Sequence, residues 1–372
     1  MAYYDLSVLP ELKTILDEIE PSSAHLNVFK STVNGRKYSV IRYNKTGLSL
    51  ETIPTYGLCR SLIFNGHQKL VGFSPPKSVP NDVFTDIVEE EFIEGTMINV
   101  FWDDGWEIST RTKVGGETRF FKEKEKETRG KTFRVLFFEA CNECHLDIQN
   151  LNKELCYSFV MQHPENRIVV PFLKPGLFLV AVYKIDAEKL LVHPIKYRQY
   201  SGLGLEDTTV KFPRLCQNED IIASSKSYEV VGVVLHDNLS GKRMKIRNPA
   251  YEEVKKLRGN QPKMQYHYLT LRKEGKVKEF LKYFPEYKEE LSQYRNQVHL
   301  FTRALHSNYV SCFIKKEKPL GEFDKSFKTH MFNLHKLYQT NRELVSNSTV
   351  INYVNSLHPS LLMYSLNYHL RT

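Results

Sequence analysis

The sequence predicts an α+β protein in two parts, an antiparallel-sheet domain over residues 1–260 and a basic all-helical domain over 263–372. Three observations carry this. Short apolar runs with period-two alternation recur through the first 250 residues, joined by Asn-Gly and Asp-Gly pairs that favour tight hairpin turns. Helical apolar spacing appears at the start and again around residue 135. After Gly259-Asn260-Gln261-Pro262 the pattern changes to continuous helical spacing dense in Lys, Arg, Tyr and His.

Residues 6–20 (LSVLPELKTILDEIE) have the spacing of a helix, ended by Pro21-Ser22-Ser23. NVFKSTV, Asn34-Gly35 and RKYSVIRY then read as a hairpin, and residues 61–64 and 69–73 around Asn65-Gly66 as a second. Residues 97–112 form a third, turning at Asp104-Gly105. The run 122–129 (KEKEKETR) reads as a solvated face or loop, and 131–141 as a helix. Strands return at 157–161, 177–183, 229–235 and 243–247, which makes the domain α+β. Beyond 263, residues 265–315, 328–345 and 348–368 are expected to be helical.

The chain has 372 residues, 41% hydrophobic and 12% aromatic, which is ample for packed cores and excludes wholesale disorder. It contains no run of about 18 apolar residues, and its start lacks the pattern of a signal peptide. A soluble chain made in the cytosol, with no membrane partner, is expected. Six cysteines in this length do not form a disulfide framework. Cys141-Asn-Glu-Cys144-His145 fits a haem-attachment pattern, but without export or a second CxxC it reads as chance, and no metal site is expected. A net charge of +9 suggests a polyanionic partner or a basic surface kept for solubility, and charge alone does not separate the two.

Several segments, in one order over roughly residues 30–250, carry a resemblance. They are Asn34 to Asn44, Leu58-Cys-Arg60-Ser-Leu-Ile-Phe64, Phe73-Ser-Pro-Pro-Lys77, and Phe92-Ile-Glu94-Gly95-Thr-Met. Ser109-Thr-Arg111-Thr-Lys113-Val-Gly-Gly116 follows, then Tyr157-Ser158-Phe159-Val with Pro164-Glu-Asn-Arg167-Ile-Val, then Val230-Val231-Gly232, and finally Met244-Lys245-Ile-Arg247. This order resembles the covalent nucleotidyltransferase superfamily, nearest to phage tRNA-repair RNA ligases. It also looks similar to ligase-like proteins of large cytoplasmic DNA viruses. The resemblance implies an antiparallel-sheet nucleotidyltransferase (adenylation) fold and nucleotide-binding roles for Arg60, Glu94, Gly95, Lys113, Arg167, Lys245 and Arg247. It implies ATP or GTP with Mg²⁺ as candidate cofactors and RNA as partner. A viral origin, viral protein partners, and a place in the cytoplasm, virion or viral factory follow from the same resemblance.

In that superfamily a lysine amine attacks the α-phosphate of the nucleotide. Here the matching position is Phe92, and no lysine lies between Asp82 and Ile108. The matching carboxylates are also gone, as Ser158 and Val231. Three chemistry-bearing positions are uncharged while the binding positions are largely kept, so a pseudoenzyme that binds RNA or nucleotide is expected. Glu229 shares the face of Val231 if both lie on a strand, which would let it replace the lost carboxylate, although solvent exposure is the commoner fate. Lys77 and Lys113 are the candidate relocated nucleophiles, with phosphate-contacting or structural roles weighed above that one. A scaffold for viral assembly is the remaining alternative.

His163 is expected to be structural rather than a general base, and Arg167 either touches phosphate or braces its turn. Trp102 and Trp106 read as packing residues. In the tail, Arg272, Lys273, Lys276, Lys278 and Lys282 are the candidate RNA contacts, the alternative being a solvated basic face.

Overall fold

Asn34 and Gly35 both take positive φ, 49° and 79°, which turns the chain tightly enough to pair Leu26–Val33 with Arg36–Tyr43 residue for residue. In this computed structural model, residues 2–16, 23–80, 82–119, 130–216, 227–342 and 344–371 are described. The expected charged run 122–129 lies outside them.

Two compact units result, Met1–Lys256 and Leu257–Thr372. The first is α+β. Its strands are Tyr4–Asp5 (β1), Leu26–Val33 (β2), Arg36–Tyr43 (β3), Leu62–Asn65 (β4), Leu70–Gly72 (β5), Ile87–Glu91 (β6), Thr96–Trp102 (β7), Trp106–Ser109 (β8), Leu155–Gln162 (β9), Gly176–Asp186 (β10), Leu191–Pro194 (β11), Gly232–Asp237 (β12) and Arg243–Arg247 (β13). They form three antiparallel sheets, ordered β1-β11-β10-β9-β7-β8, β2-β3-β4-β5 and β13-β12-β6. Helices Pro10–Leu16 (α1), Ile53–Tyr56 (α2), Phe133–Glu143 (α3) and Pro249–Arg258 (α4) complete the pattern.

The six-stranded sheet is central because its side chains alternate between two cores. Cys156 and Phe101 join Val40, Leu62 and Phe64 of the four-stranded sheet, and Phe73 just after it, on one face. Tyr157, Phe159, Ile98 and Val100 meet Leu136, Phe137 and Ala140 of α3 on the other. Burying the aliphatic face of α3 contributes about 25 cal/mol for each Å² removed from water. The Thr132 hydroxyl starts α3 by accepting the Val135 N–H, one of the helix's unpaired first-turn donors.

Departures from the expected elements have local causes. The first helix begins at Pro10, whose missing N–H costs nothing at a helix start, and the residues before it pair as β1 with β11. Residues 17–20 lie outside the described chain. Trp106 is buried and meets Trp102 edge-on at 5.5 Å, so the pair packs.

The second unit is helical: Met264–Lys273 (α5), Val277–Tyr283 (α6), Lys288–Tyr309 (α7), Lys325–Asn341 (α8), Asn347–Ser356 (α9) and Pro359–Leu366 (α10). The long α7 lies at its centre, packing on α5, α8, α9 and α10 through a buried row that includes Leu291, Val298, Leu305 and Tyr309. The expected single helix 348–368 is two helices. Pro359 cannot donate a helical hydrogen bond, and the His358 ring caps the new start by accepting from Ser360. No helix among the described residues is long and apolar enough to cross a membrane.

Candidate functional site

β13 places Arg243, Lys245 and Arg247 on one face of its strand, because alternate residues point the same way. Three other stretches bring cations to the same region. Arg60 follows α2, Lys77 follows Pro75-Pro76, and Arg111 follows β8. The proximity is visible in their electrostatics. Burial lowers the Arg60 pKa to about 10, helped by repulsion from Arg243 and Arg111. Lys77 is lowered by burial and then by Arg60, Arg247 and Arg111. Lys245 is pushed down to about 5 by burial, then by Arg243, Arg60, Arg247 and Lys255. Among the described residues a carboxylate enters at the margin, where Glu252 is shared at 3.4 Å by Arg247 and Lys255.

The cluster has a built floor. Arg243 is buried, and its guanidinium donates to the carbonyls of Pro76 (2.7 Å) and Pro75 (3.1 Å). Those bonds hold the segment that presents Lys77, whose own N–H donates to Gly57 O at 2.8 Å. The Arg111 guanidinium lies 5.2 Å from the Tyr43 ring, and its buried Nε and Nη2 have no protein partner. Buried donors of this kind are costly unless something accepts from them.

Phe92 sits inside this arrangement. Its N–H donates to Gly232 O at 3.0 Å, and the Lys245 Nζ stands 4.3 Å from its ring centroid. Two influences on Lys245 oppose each other here. The aromatic face favours the ammonium form by about 1 kcal/mol. Burial and four neighbouring cations favour the neutral amine, and they prevail. Lys245 is nonetheless only half-buried, so it remains reachable.

Other expected site residues are placed differently. Glu94 is 5% exposed, and its carboxylate already accepts from Val169 N–H (2.9 Å) and Val170 N–H (3.0 Å) and from the Tyr251 hydroxyl. Burial raises its pKa. These bonds brace residues 169–170. Gly95, at φ 148°, lies where any Cβ would come within 2.4 Å of Met161 O, so its absence of a side chain serves close packing on β9. Lys113 is exposed on the turn 110–113, and Arg111 is the member of that segment that reaches the cluster. Arg167 donates to Val169 O at 2.9 Å, in keeping with bracing.

The three uncharged positions are stably filled. Ser158 is fully buried and donates to Asn99 Oδ1 at 2.8 Å across β9 and β7. Val231 is 6% exposed. Glu229 does not share its strand: β12 begins only at Gly232, and Glu229 is an exposed turn residue. The alternation that would have made it a replacement carboxylate therefore does not apply.

Glu139, His163 and Glu165 bring three ligand-type atoms within 4.8 Å. Lys131 already bridges both carboxylates, at 2.8 and 2.7 Å. His163 is buried, with one ring nitrogen 2.9 Å from Glu139 and the other accepting the Glu165 N–H. The group is a hydrogen-bonded brace of two carboxylates, one lysine and a buried histidine. Cys141 and Cys144 are buried free thiols. In the helical unit Lys273, Lys276, Lys278 and Lys282 are exposed. Arg272 is half-buried with its guanidinium on Asn355, and Lys276 pairs with Glu274 at 3.0 Å.

Signals for Arg111 and Arg243 were weak in the sequence. Each lies one strand period from a residue that was singled out, Lys113 and Lys245. The bonds to the Pro75-Pro76 carbonyls reveal the role of Arg243, and the nearby Tyr43 ring and the unpartnered guanidinium nitrogens that of Arg111.

No family model matches the chain. An RNA ligase of Rhodothermus phage RM378 is 26% identical over 283 residues, 66% of this chain and 64% of that protein. An immediate-early protein ICP-46 homolog of Invertebrate iridescent virus 6 is 24% identical over 274 residues, 68% of this chain and 59% of its own length. The chain thus spans less than two thirds of either relative. Among solved structures, an archaeal ATP-dependent RNA ligase has TM-score 0.40 at 13% identity, covering 72% of each chain. A Naegleria gruberi RNA ligase mutant with ATP and Mn has TM-score 0.32 at 13% identity, covering 61% of this chain and 76% of that one. The chain is thus similar in sequence to a phage RNA ligase and to an iridescent-virus immediate-early protein homolog.

Proposed function

We propose that this chain binds nucleotide and RNA phosphates through its cation cluster, on an RNA-ligase-like fold in which residue 92 carries out no covalent step. The observation that carries the reading is the convergence of Arg60, Lys77, Arg111, Arg243, Lys245 and Arg247, from four stretches of chain, with a carboxylate at the edge. Like charges gathered in a half-buried region repel one another, and a polyanion relieves both that repulsion and the unpartnered Arg111 donors. A phenyl ring at position 92 offers no lone pair to phosphorus.

ATP or GTP is the proposed ligand. Mg²⁺ would arrive on its phosphates, since Ser158 and Val231 offer no carboxylate and Glu94 is engaged elsewhere. RNA is the proposed macromolecular partner, with Lys273, Lys276, Lys278 and Lys282 as backbone contacts. A viral setting, in the virion or a cytoplasmic viral factory, is part of the same reading and draws on the phage and iridescent-virus relatives.

Equilibrium dialysis with ATP and GTP, and anisotropy with a 5′-phosphorylated RNA oligomer, test it at two salt concentrations. Affinity should fall steeply with salt, and Arg111→Ala should weaken nucleotide binding by about tenfold or more. Absence of binding at low salt would instead favour a scaffold that binds protein partners.

A further inference from the structure

We infer that the helical unit holds a receptor for a terminal phosphate, the charged end of an RNA strand, in the cavity between the end of α7 and the start of α9. The inference rests on RNA as the partner and adds a second recognition point, in the other unit from the nucleotide cluster.

The walls of the cavity follow from how α7 ends. Arg303, His306, Ser307 and Val310 are spaced three or four residues apart, so they share one helix face. After Tyr309 the backbone widens into a π turn over Val310–Ile314, and the Lys315 N–H donates to Val310 O at 2.8 Å. Single π turns of this kind recur at functional sites. Lys316 then takes φ 56°, a left-handed backbone uncommon for lysine. The chain folds back on itself there: the Glu317 N–H donates to Ser311 O at 2.9 Å, which brings Lys315 and Glu317 to the cavity. On the other side α9, which packs on α7, contributes its first residue, Asn347. The space between these walls is about 580 Å³, which admits a phosphate together with the ribose that bears it.

Donors dominate this lining. The Arg303 guanidinium makes no ion pair among the described residues and is exposed to the cavity. His306 is half-buried and keeps at least one ring N–H in either protonation state. Glu317 is the one carboxylate of the lining, and it is already engaged: the Ser311 hydroxyl donates to it at 2.5 Å and the Lys315 Nζ lies 3.5 Å away. Lys315 offsets that charge, so the charge of Arg303 is left over. The capping box at the start of α9 uses the N–H groups of Ser346 and Thr349, and those of Asn347 and Ser348 have no acceptor within the helix. They add to a site that the side chains define. A terminal phosphate presents three unesterified oxygens and a charge near −2, whereas a backbone phosphate presents two oxygens and a charge of −1. Donors arriving from α7, from the folded-back loop and from α9 suit the first. The lysines of 273–282, exposed on the surface, suit the second.

The test uses the full chain and anisotropy with one RNA oligomer in three forms: 5′-phosphorylated, 3′-phosphorylated and with hydroxyls at both ends. The expected result is that at least one phosphorylated form binds about tenfold more tightly than the form without terminal phosphate. Replacing Arg303 and Lys315 together by Ala should abolish that preference, and Arg111→Ala, in the nucleotide cluster, should leave it in place. No preference for a phosphorylated end, or a preference that survives in the Arg303→Ala, Lys315→Ala chain and is lost in Arg111→Ala, overturns the inference. A second readout needs no variant: the ring signals of His306 in the isotope-labelled, unaltered chain should shift on adding inorganic phosphate. Such a shift with no RNA bound keeps the phosphate receptor and overturns RNA as its source. No shift and no RNA bound overturn the receptor and the RNA reading together, while nucleotide binding by the cluster is judged separately by dialysis.

Discussion

Lys245 ties the pH dependence of stability to the site. Its folded pKa is about 5, against an ordinary lysine value of 10.5. Between those values the unfolded chain binds one more proton, so stability rises with pH through this window. The cost is complete below about pH 5 and gone above about pH 10.5. Lys245→Met should therefore stabilise the protein most near pH 6, by on the order of 1–2 kcal/mol once solvent access to the half-buried amine is allowed for. The gain should shrink towards pH 10. Urea midpoints at pH 6 and pH 9 measure this, and a difference that does not change with pH would refute it. At this scale the sequence marked Arg60, Lys77, Lys245 and Arg247 as cations near one another through motif order alone. It did not show the surroundings of Glu94, because nothing local reveals that the Val169 and Val170 amides, 75 and 76 residues on, donate to that carboxylate.

Gly232 is where the elements of the site depend on a single position. It has φ 137°, and an added Cβ would meet Ile246 O at 2.1 Å, on the neighbouring β13. Gly232→Ala should strain the backbone and push β13 away, costing about 3 kcal/mol. Because Lys245 and Arg247 sit on the displaced strand, ATP affinity should fall together with the denaturation midpoint. Unchanged affinity in folded Gly232→Ala protein would show that the register of β13 does not set the site. The hairpins were readable from sequence because their turns are local, as Asn34-Gly35 and Asp104-Gly105 are. β6, β11 and the strand start at Gly232 were not. Ile87–Glu91 carries three glutamates in a row, and its strand state depends on pairing with β12 far along the chain. Glu90 in particular is buried among distant partners, with Arg198 at 2.9 Å and the Tyr197 hydroxyl at 3.1 Å.

The whole molecule carries a net charge of +9 in two separate compact units. If the helical unit tracks an RNA backbone, replacing Lys273, Lys276, Lys278 and Lys282 together by Glu should weaken binding of an RNA oligomer by at least about a hundredfold at low salt. Binding of ATP should stay as it was. Anisotropy with the oligomer and dialysis with ATP separate the two, and equal loss of both would place all phosphate recognition in one unit. The division into a sheet unit and a helical unit was legible from periodicity. The break at Pro359 was missed, because the helical spacing on both sides of it masked the interruption.

The unpartnered nitrogens of Arg111 and the crowded cations around Lys245 also make the protein a reporter of its surroundings. A folded state that gains from any anion, and an unfolded chain that does not hold one in place, are linked by mass action. Melting temperature should then rise in phosphate, pyrophosphate and triphosphate in that order. The spacing of that series would measure how many phosphate groups the region accommodates before any ligand has been identified.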